Sequence, residues 1–466
     1  MLDVAWRARH PVTAAHRAGL SPHVLVLVAG LSGGIVAQGG YYLPGRVLVT
    51  AFVAVAVPIA LFRYPWTRAD SGPVPVAAAA LAGWILVRAV AAHHYPEAVA
   101  AVATLACLVA VLVVLRRTGP AERESAAGAL VAVGALVAVT AWVGVAWRIP
   151  RFAVLVDYQL WRGASTLTYP NAAAALLVPL ALLAIALLVA RPGSVLRALA
   201  GYLLLVGVGT TLSRAGFLAL LVGFIVLALL AGVRATIWHA LPSSVGAAVA
   251  VGALVPSFAT TAAPRPLLAG LGLLAGAVVA TGALRLPSKA RAVAVVAVLV
   301  AAGAVAASQL HSGLLHDVWR SRGNLASGGR TGALHVAFEM VGRHPLTGTG
   351  VGLARFLWAT PDGRGAVALY VHNEYVQTLV DLGAVGLVLL LGLAVALAGY
   401  LYRARQHPHR PGIRAGALAA LTAFAVHSGF DFLWHIAVLP LAASLFIGLA
   451  GPAIREEVIN QEEKGE

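Results

Sequence analysis

Residues 171–190 read NAAAALLVPLALLAIALLVA, a run without one charged side chain, opened by Pro170 and closed by Arg191. At about 1.5 Å per residue a helix of that length spans roughly 30 Å, the hydrocarbon thickness of a bilayer. Proline suits the first turn of a helix, so the boundaries agree with the reading. Moving outward in both directions, comparable apolar runs lie near 23–38, 47–62, 74–92, 97–115, 126–147, 196–212, 215–233, 238–258, 267–284, 291–307, 376–402, 413–428 and 433–452. About fourteen such spans would use roughly 280 residues. The whole chain of 466 residues is 60% apolar and 11% charged, with a mean hydropathy of +0.88. Soluble domains run nearer about 45–50% apolar and about 25% charged. A soluble globular protein, a disordered chain and a disulfide-stapled module are excluded. The expected fold is an all-α polytopic membrane protein with about 12–14 transmembrane helices.

The formal net charge is +16, and lysine occurs only at Lys289 and Lys464, so the basicity is almost all arginine. No basic run interleaved with aromatics exists, which argues against nucleic acid as a partner. With the N-terminus on the cytoplasmic side, alternate connections and their flanks hold 20 of the 33 basic residues, including Arg116, Arg117, Arg123, Arg285, Arg291, Arg403 and Arg405. The positive-inside rule then predicts cytoplasmic N- and C-termini in the plasma membrane. The lone Cys107 lies in an apolar run, which rules out an internal disulfide or a cysteine metal site. The chain divides into N-terminal helices (1–164), a second helical block (165–307), a long outer-face loop (308–375) and C-terminal helices with a cytoplasmic tail (376–466).

The loop is longer and more polar than any other connection, and long loops without structure of their own are usually functional. It carries Arg320, Arg322, Arg330, Arg343, Arg355 and Arg364, with His311, His316, His335, His344 and His372. Arginine in such numbers on the outer face runs against the topological bias. Leu334, Ala337, Phe338 and Val341 follow a helical period, so a short amphipathic helix is predicted, ended by Pro345 and the following glycines. The bland reading is a loop coated with solvated charge.

Three other outer-face segments converge on this loop. Thr168-Tyr169-Pro170-Asn171 opens a span, and Thr210-Thr211-Leu212-Ser213-Arg214 breaks two apolar runs. His427, Asp431 and His435 are spaced four apart at the last outer turn. That spacing invites a metal reading, but Gly429 interrupts a continuous helix face, and a polar turn packed under the loop is favoured. Arginine presents a planar fork suited to phosphate, and several positive charges can neutralise a pyrophosphate where no metal does. Beside them stands Val371-His372-Asn373-Glu374-Tyr375, opening a span. An imidazole is the usual acceptor of a hydroxyl proton near neutral pH, and Glu374 would orient it or complement the helix dipole. The first outer loop, Gly39–Arg46, has no carboxylate to hold a divalent ion, and no GxxxxGK[ST] nucleotide motif occurs. Asp381 near the start of the 376–402 run apart, the predicted span interiors lack the carboxylates of an ion-coupled pump.

Taken in order, these words resemble the O-antigen ligase and O-antigen polymerase superfamily, over residues 165–230 and 325–450. Tyr169-Pro170-Asn171 looks like its Pro-Asn segment, and Ser213-Arg214 like its Ser-Arg helix start. Gly329-Arg330 through His344-Pro345-Leu346-Thr347-Gly348 is similar to its long-loop signature. Val371-His372-Asn373-Glu374-Tyr375 with Gly383-Ala384-Val385-Gly386 looks like its most recognisable stretch. His427-Ser428-Gly429-Phe430-Asp431 resembles its penultimate polar turn.

The resemblance implies a GT-C-like membrane glycosyltransferase on the outer, periplasmic-type face of the plasma membrane. It would serve cell-envelope polysaccharide synthesis such as that of lipopolysaccharide. The implied donor is a glycan on undecaprenyl pyrophosphate, moved to a lipid- or glycan-linked acceptor hydroxyl with inversion and with neither metal nor other cofactor. His372 would be the general base with Glu374 or a neighbouring group beside it. Arg214, Arg330, Arg343 and Arg355 would hold the pyrophosphate, and Asn171, Ser213, Asn373, His427 and Asp431 would support them. A polymerase joining lipid-linked repeat units shares these words. A flippase would instead call for a charged central cavity and inverted repeats.

Overall fold

The computed structural model describes residues 19–156, 159–282, 284, 286, 287, 289, 290, 293, 328–359, 364–406 and 411–453. The described chain is helical almost throughout. Its longer helices are α1 (Pro22–Val36), α2 (Leu43–Arg63), α3 (Pro73–Ala92), α4 (Pro96–Leu115), α5 (Pro120–Ala146), α6 (Pro170–Ala190) and α7 (Val195–Thr211). They continue as α8 (Arg214–Ala231), α9 (Val233–Gly252), α10 (Pro266–Gly282), α11 (Gly328–Arg343), α12 (Glu374–Arg403), α13 (Pro411–Ser428) and α14 (Val438–Ala450). Among the described residues, seven of these are long and apolar enough to cross a membrane. With α1, α7, α10 and α14 as shorter apolar helices, the chain is an all-α polytopic membrane protein. Thirteen of the fourteen apolar runs coincide with helices. The remaining run, 291–307, falls almost wholly outside the described residues, as do Arg285, Arg291, His311, His316, Arg320 and Arg322.

Helix α6, the run quoted at the outset, sits at the centre with 94% of its apolar window buried. A helix that is apolar all round has no face for water and belongs in the interior. Helices α5, α7, α8 and α13 surround it. Small residues set these approaches: a Cβ at Gly416 of α13 would meet Ala186 Cβ at 2.7 Å and Leu183 Cα at 3.1 Å. Without a hydrophobic drive between helices in lipid, such close backbone approach supplies much of the association. A second group, α2, α3, α4, α12 and α14, packs beside the first and encloses a cavity of about 210 Å³.

At the end predicted to be cytoplasmic, two arginines staple helices together. Arg117 donates to both oxygens of the buried Asp70 at 2.8 and 3.1 Å, and to the carbonyls of Tyr64, Pro65 and Val113. Arg123, also buried, donates to the carbonyls of Leu115, Gly451 and Pro452.

At the opposite end two antiparallel hairpins form: β1 (Ala153–Val156) with β2 (Leu160–Gly163), and β3 (Phe356–Ala359) with β4 (Gly365–Ala368). Within the long loop, α11 is the predicted amphipathic helix, but its buried face is Ala333 and Ala337, while Phe338 is 54% exposed. The reason is the β3–β4 hairpin. The Trp358 ring lies against Gly332, and the fully buried Phe356 shares a cluster with Ala333 and Ala337, so the covered stripe is rotated from the predicted one. The segment after α11 then docks along α12. Thr349 N–H donates to Val380 O, Gly350 N–H to Asp381 O and Ala384 N–H to Pro345 O. These bonds are possible because α12 breaks at Gly383, whose φ of 69° lies in the left-handed region.

Candidate active site

The N-termini of α6, α8 and α12, the start of α11 and the α13–α14 turn lie at one end of the bundle. Asp431, in that turn, is fully buried and gathers side chains from three of these places. Its Oδ1 accepts from His372 Nδ1 at 2.9 Å and from the Phe432 N–H at 3.0 Å. Its Oδ2 accepts from the Tyr169 hydroxyl at 2.7 Å and from Asn171 Nδ2 at 2.5 Å. Arg330 Nη2, at the start of α11, stands 3.7 Å from the same oxygen.

Local sequence explains each placement. Asn373 caps α12 by accepting from the N–H groups of Tyr375 and Val376, and its amide donates to Gly429 O, tying the helix start to the turn. His372, just before the cap, has a φ of 57°, an uncommon conformation for a residue with a Cβ. That strain aims the ring across at Asp431. Ser213 caps α8 through Gly216 N–H, and Thr211 O in the same break accepts from Arg162 Nε at 2.6 Å. Arg162 Nη2 in turn donates to Asn171 Oδ1 at 2.9 Å, which leaves the Asn171 amide nitrogen facing Asp431.

Electrostatics follows from these contacts. Burial by itself raises the Asp431 carboxyl, but the hydrogen bonds from His372 and Tyr169 and the charges of His372 and Arg330 outweigh it and hold the group at about 2. Tyr169 is pushed well above the ordinary phenol range, by burial first and by the Asp431 charge second. An ionised carboxylate only accepts, so His372 Nδ1 carries the proton of that hydrogen bond, and the nitrogen that can give up or take a proton is Nε2. With 28% of its side chain exposed, the imidazole is accessible. The cluster is therefore an oriented base beside a half-exposed guanidinium.

The other residues singled out in the sequence fall elsewhere. Glu374 is 2% exposed and faces away from this cluster, accepting from the Trp434 N–H and standing 3.4 Å from His435 Nδ1. Burial lowers His435, and the neighbouring Glu374 carboxylate raises it by more, so it ends above its ordinary value. His427 is buried beside Asp431, and neither ring nitrogen has a hydrogen-bond partner among the described residues. The 427, 431 and 435 side chains thus take different surroundings instead of one shared face. Arg214 begins α8, half-buried. Arg343, exposed, ends α11 thirteen residues after Arg330, about 20 Å along the axis. Arg355 turns to its own loop, donating to Gly352 O and Ala354 O, both at 2.8 Å. Two members of the cluster, Tyr169 and Arg162, carry no distinctive spacing. Tyr169 lies inside a quoted motif, and the available signal for Arg162 was a basic residue on the predicted outer face shortly before the Pro-Asn helix start.

Residues 267–391 match the family model described as O-antigen ligase (Wzy_C). That match spans both Arg330 and His372. No curated protein matches the chain.

Proposed function

We propose that this chain, whose residues 267–391 match the O-antigen ligase family model, transfers a glycan from undecaprenyl pyrophosphate to an acceptor hydroxyl at the outer face of the plasma membrane. The observation that carries the reading is the His372–Asp431 pair with Arg330 beside it, at the end of a membrane-helix bundle. In the step, the acceptor oxygen attacks the anomeric carbon from the face opposite the pyrophosphate, so configuration inverts. The C1–O bond breaks and its electron pair passes to the leaving pyrophosphate oxygen. His372 Nε2 takes the acceptor proton, and Asp431 stabilises the imidazolium, assistance of about 10²–10⁴ in rate. Arg330, with Arg214, supplies fixed positive charge where negative charge grows, so that arginine does the work a divalent ion would otherwise do. The apolar helices keep the polyprenyl tail in the bilayer and its head beside the arginines. Asn171, Arg162 and Tyr169 hold Asp431 in place.

The acceptor distinguishes a ligase from a polymerase. The test is the length of glycan on undecaprenyl pyrophosphate in cells lacking the protein. Long polymers stranded on the carrier are expected. Single repeat units there would mean a polymerase, and an unchanged carrier pool would overturn the transfer reading.

A further inference from the structure

The cavity between α2, α3, α4, α12 and α14 is separate from the arginine-flanked cluster, yet an aromatic column joins the two. His372 meets the Phe432 ring edge-on at 5.1 Å, Phe432 stacks on Tyr370 at 4.9 Å, and Tyr370 lies 4.1 Å from His435, which lines the cavity. The polar lining includes Arg46, Glu97, Glu374, Gln377, Asp381 and His435, with the hydroxyls of Thr50, Thr104 and Thr378. Arg46, Glu97 and Glu374 stand in the first turns of α2, α4 and α12, and His435 just precedes α14, so this polar ring sits at the end of the bundle that holds His372. Deeper along the same helices the lining becomes mostly apolar, with Val49, Leu105, Leu390 and Leu441 beside the small hydroxyls of Thr50 and Thr104, and it reaches Cys107.

A polar mouth over an apolar shaft fits an amphiphile. The charge of the mouth says which kind. Three carboxyl side chains face Arg46 and His435, and Glu374 already stands 3.4 Å from the His435 ring, so the mouth has no surplus of positive charge like that on the Arg330 side with which to hold a phosphate or pyrophosphate head. A hydroxylated head, by contrast, both donates to carboxylates and accepts from Arg46 and Gln377. Among the described residues no group of acidic and histidine side chains is arranged to hold a metal ion. We propose that this cavity binds an amphiphile with an uncharged, hydroxyl-bearing head and a hydrocarbon chain, and that this molecule is the acceptor. Naming it the acceptor rests on the transferase reading above; the binding itself does not. An acceptor of this class carries no pyrophosphate, which is what separates a ligase from a polymerase.

Cys107 is the only cysteine of the chain, so the unmodified protein reports on its own cavity. In lipid nanodiscs, labelling of Cys107 by N-ethylmaleimide is followed with submicellar dodecyl β-D-glucoside or dodecyl phosphate. The glucoside is expected to slow labelling about tenfold at a concentration ten times that of half-protection, and the phosphate to have no effect at equal concentration. Equal protection by both overturns the head preference and points to the donor's tail; protection by neither overturns the site. Native mass spectrometry reads the same binding without the thiol. One retained glucoside is expected in the wild type and none in Ala103→Trp or Thr104→Trp, whereas equal retention overturns the proposal. Both measurements read binding, so a failed transfer assay leaves them interpretable.

Discussion

Asp431 accepts four hydrogen bonds, and its charge fixes which His372 nitrogen is free. Asp431→Asn keeps the shape and removes the charge, so its turnover is expected to fall by at least about 10²-fold, with little change in donor KM. Initial rates over a donor series check this; a rise in KM alone would place Asp431 in donor binding. The same residue sets an acid limit. Its folded carboxyl lies at about 2, below the ordinary value of 3.8, so its contribution is fully present above about pH 4 and is lost as pH falls toward 2. The contribution is about 2 kcal/mol. Thermal unfolding between pH 5 and pH 2 should therefore lose less stability in Asp431→Asn than in the wild type. At this scale the sequence supplied residue types in recognisable words, which covers His372, Asn171, Arg330 and Asp431. It could not supply partners. Glu374 lies two positions from His372 and still faces His435, because successive residues at a helix start point in different directions.

Helices were legible because composition alone decides them: a run of about 20 apolar residues has one solution in lipid, a helix with every backbone group paired. The two hairpins were not, since strands of four residues with glycine and alanine carry little period-two signal. Inner-end arginines illustrate a second limit. Charge bias assigns Arg117 to the cytoplasm, while its packing makes it a staple between α4 and the α2–α3 connection, buried against Asp70. Removing one partner of a buried pair leaves the other uncompensated, at a cost of about 3–5 kcal/mol. Asp70→Asn is thus expected to lower the melting temperature in detergent clearly while leaving His372 chemistry per folded molecule unchanged. Unaltered melting would mean that water reaches Arg117.

For the whole molecule, the charge bias predicts that the ends of α6, α8 and α12 that carry the cluster face outward. In a Cys107→Ala background, a cysteine at Gly365 in the β3–β4 hairpin is expected to react with a membrane-impermeant maleimide on intact cells. One at Ala121, near the start of α5, is expected to stay unlabelled until the cells are opened. The reverse pattern would put the cluster in the cytoplasm, where an outer-face acceptor is out of reach. The central claim is that His372, held by Asp431, draws the proton while Arg330 receives the charge. A single-turnover transfer from purified undecaprenyl-pyrophosphate-linked glycan, comparing wild type with His372→Ala and Arg330→Ala at equal folded protein, tests it most directly. Both variants are predicted to bind donor yet transfer at least about 10²-fold more slowly; wild-type transfer in both would contradict it.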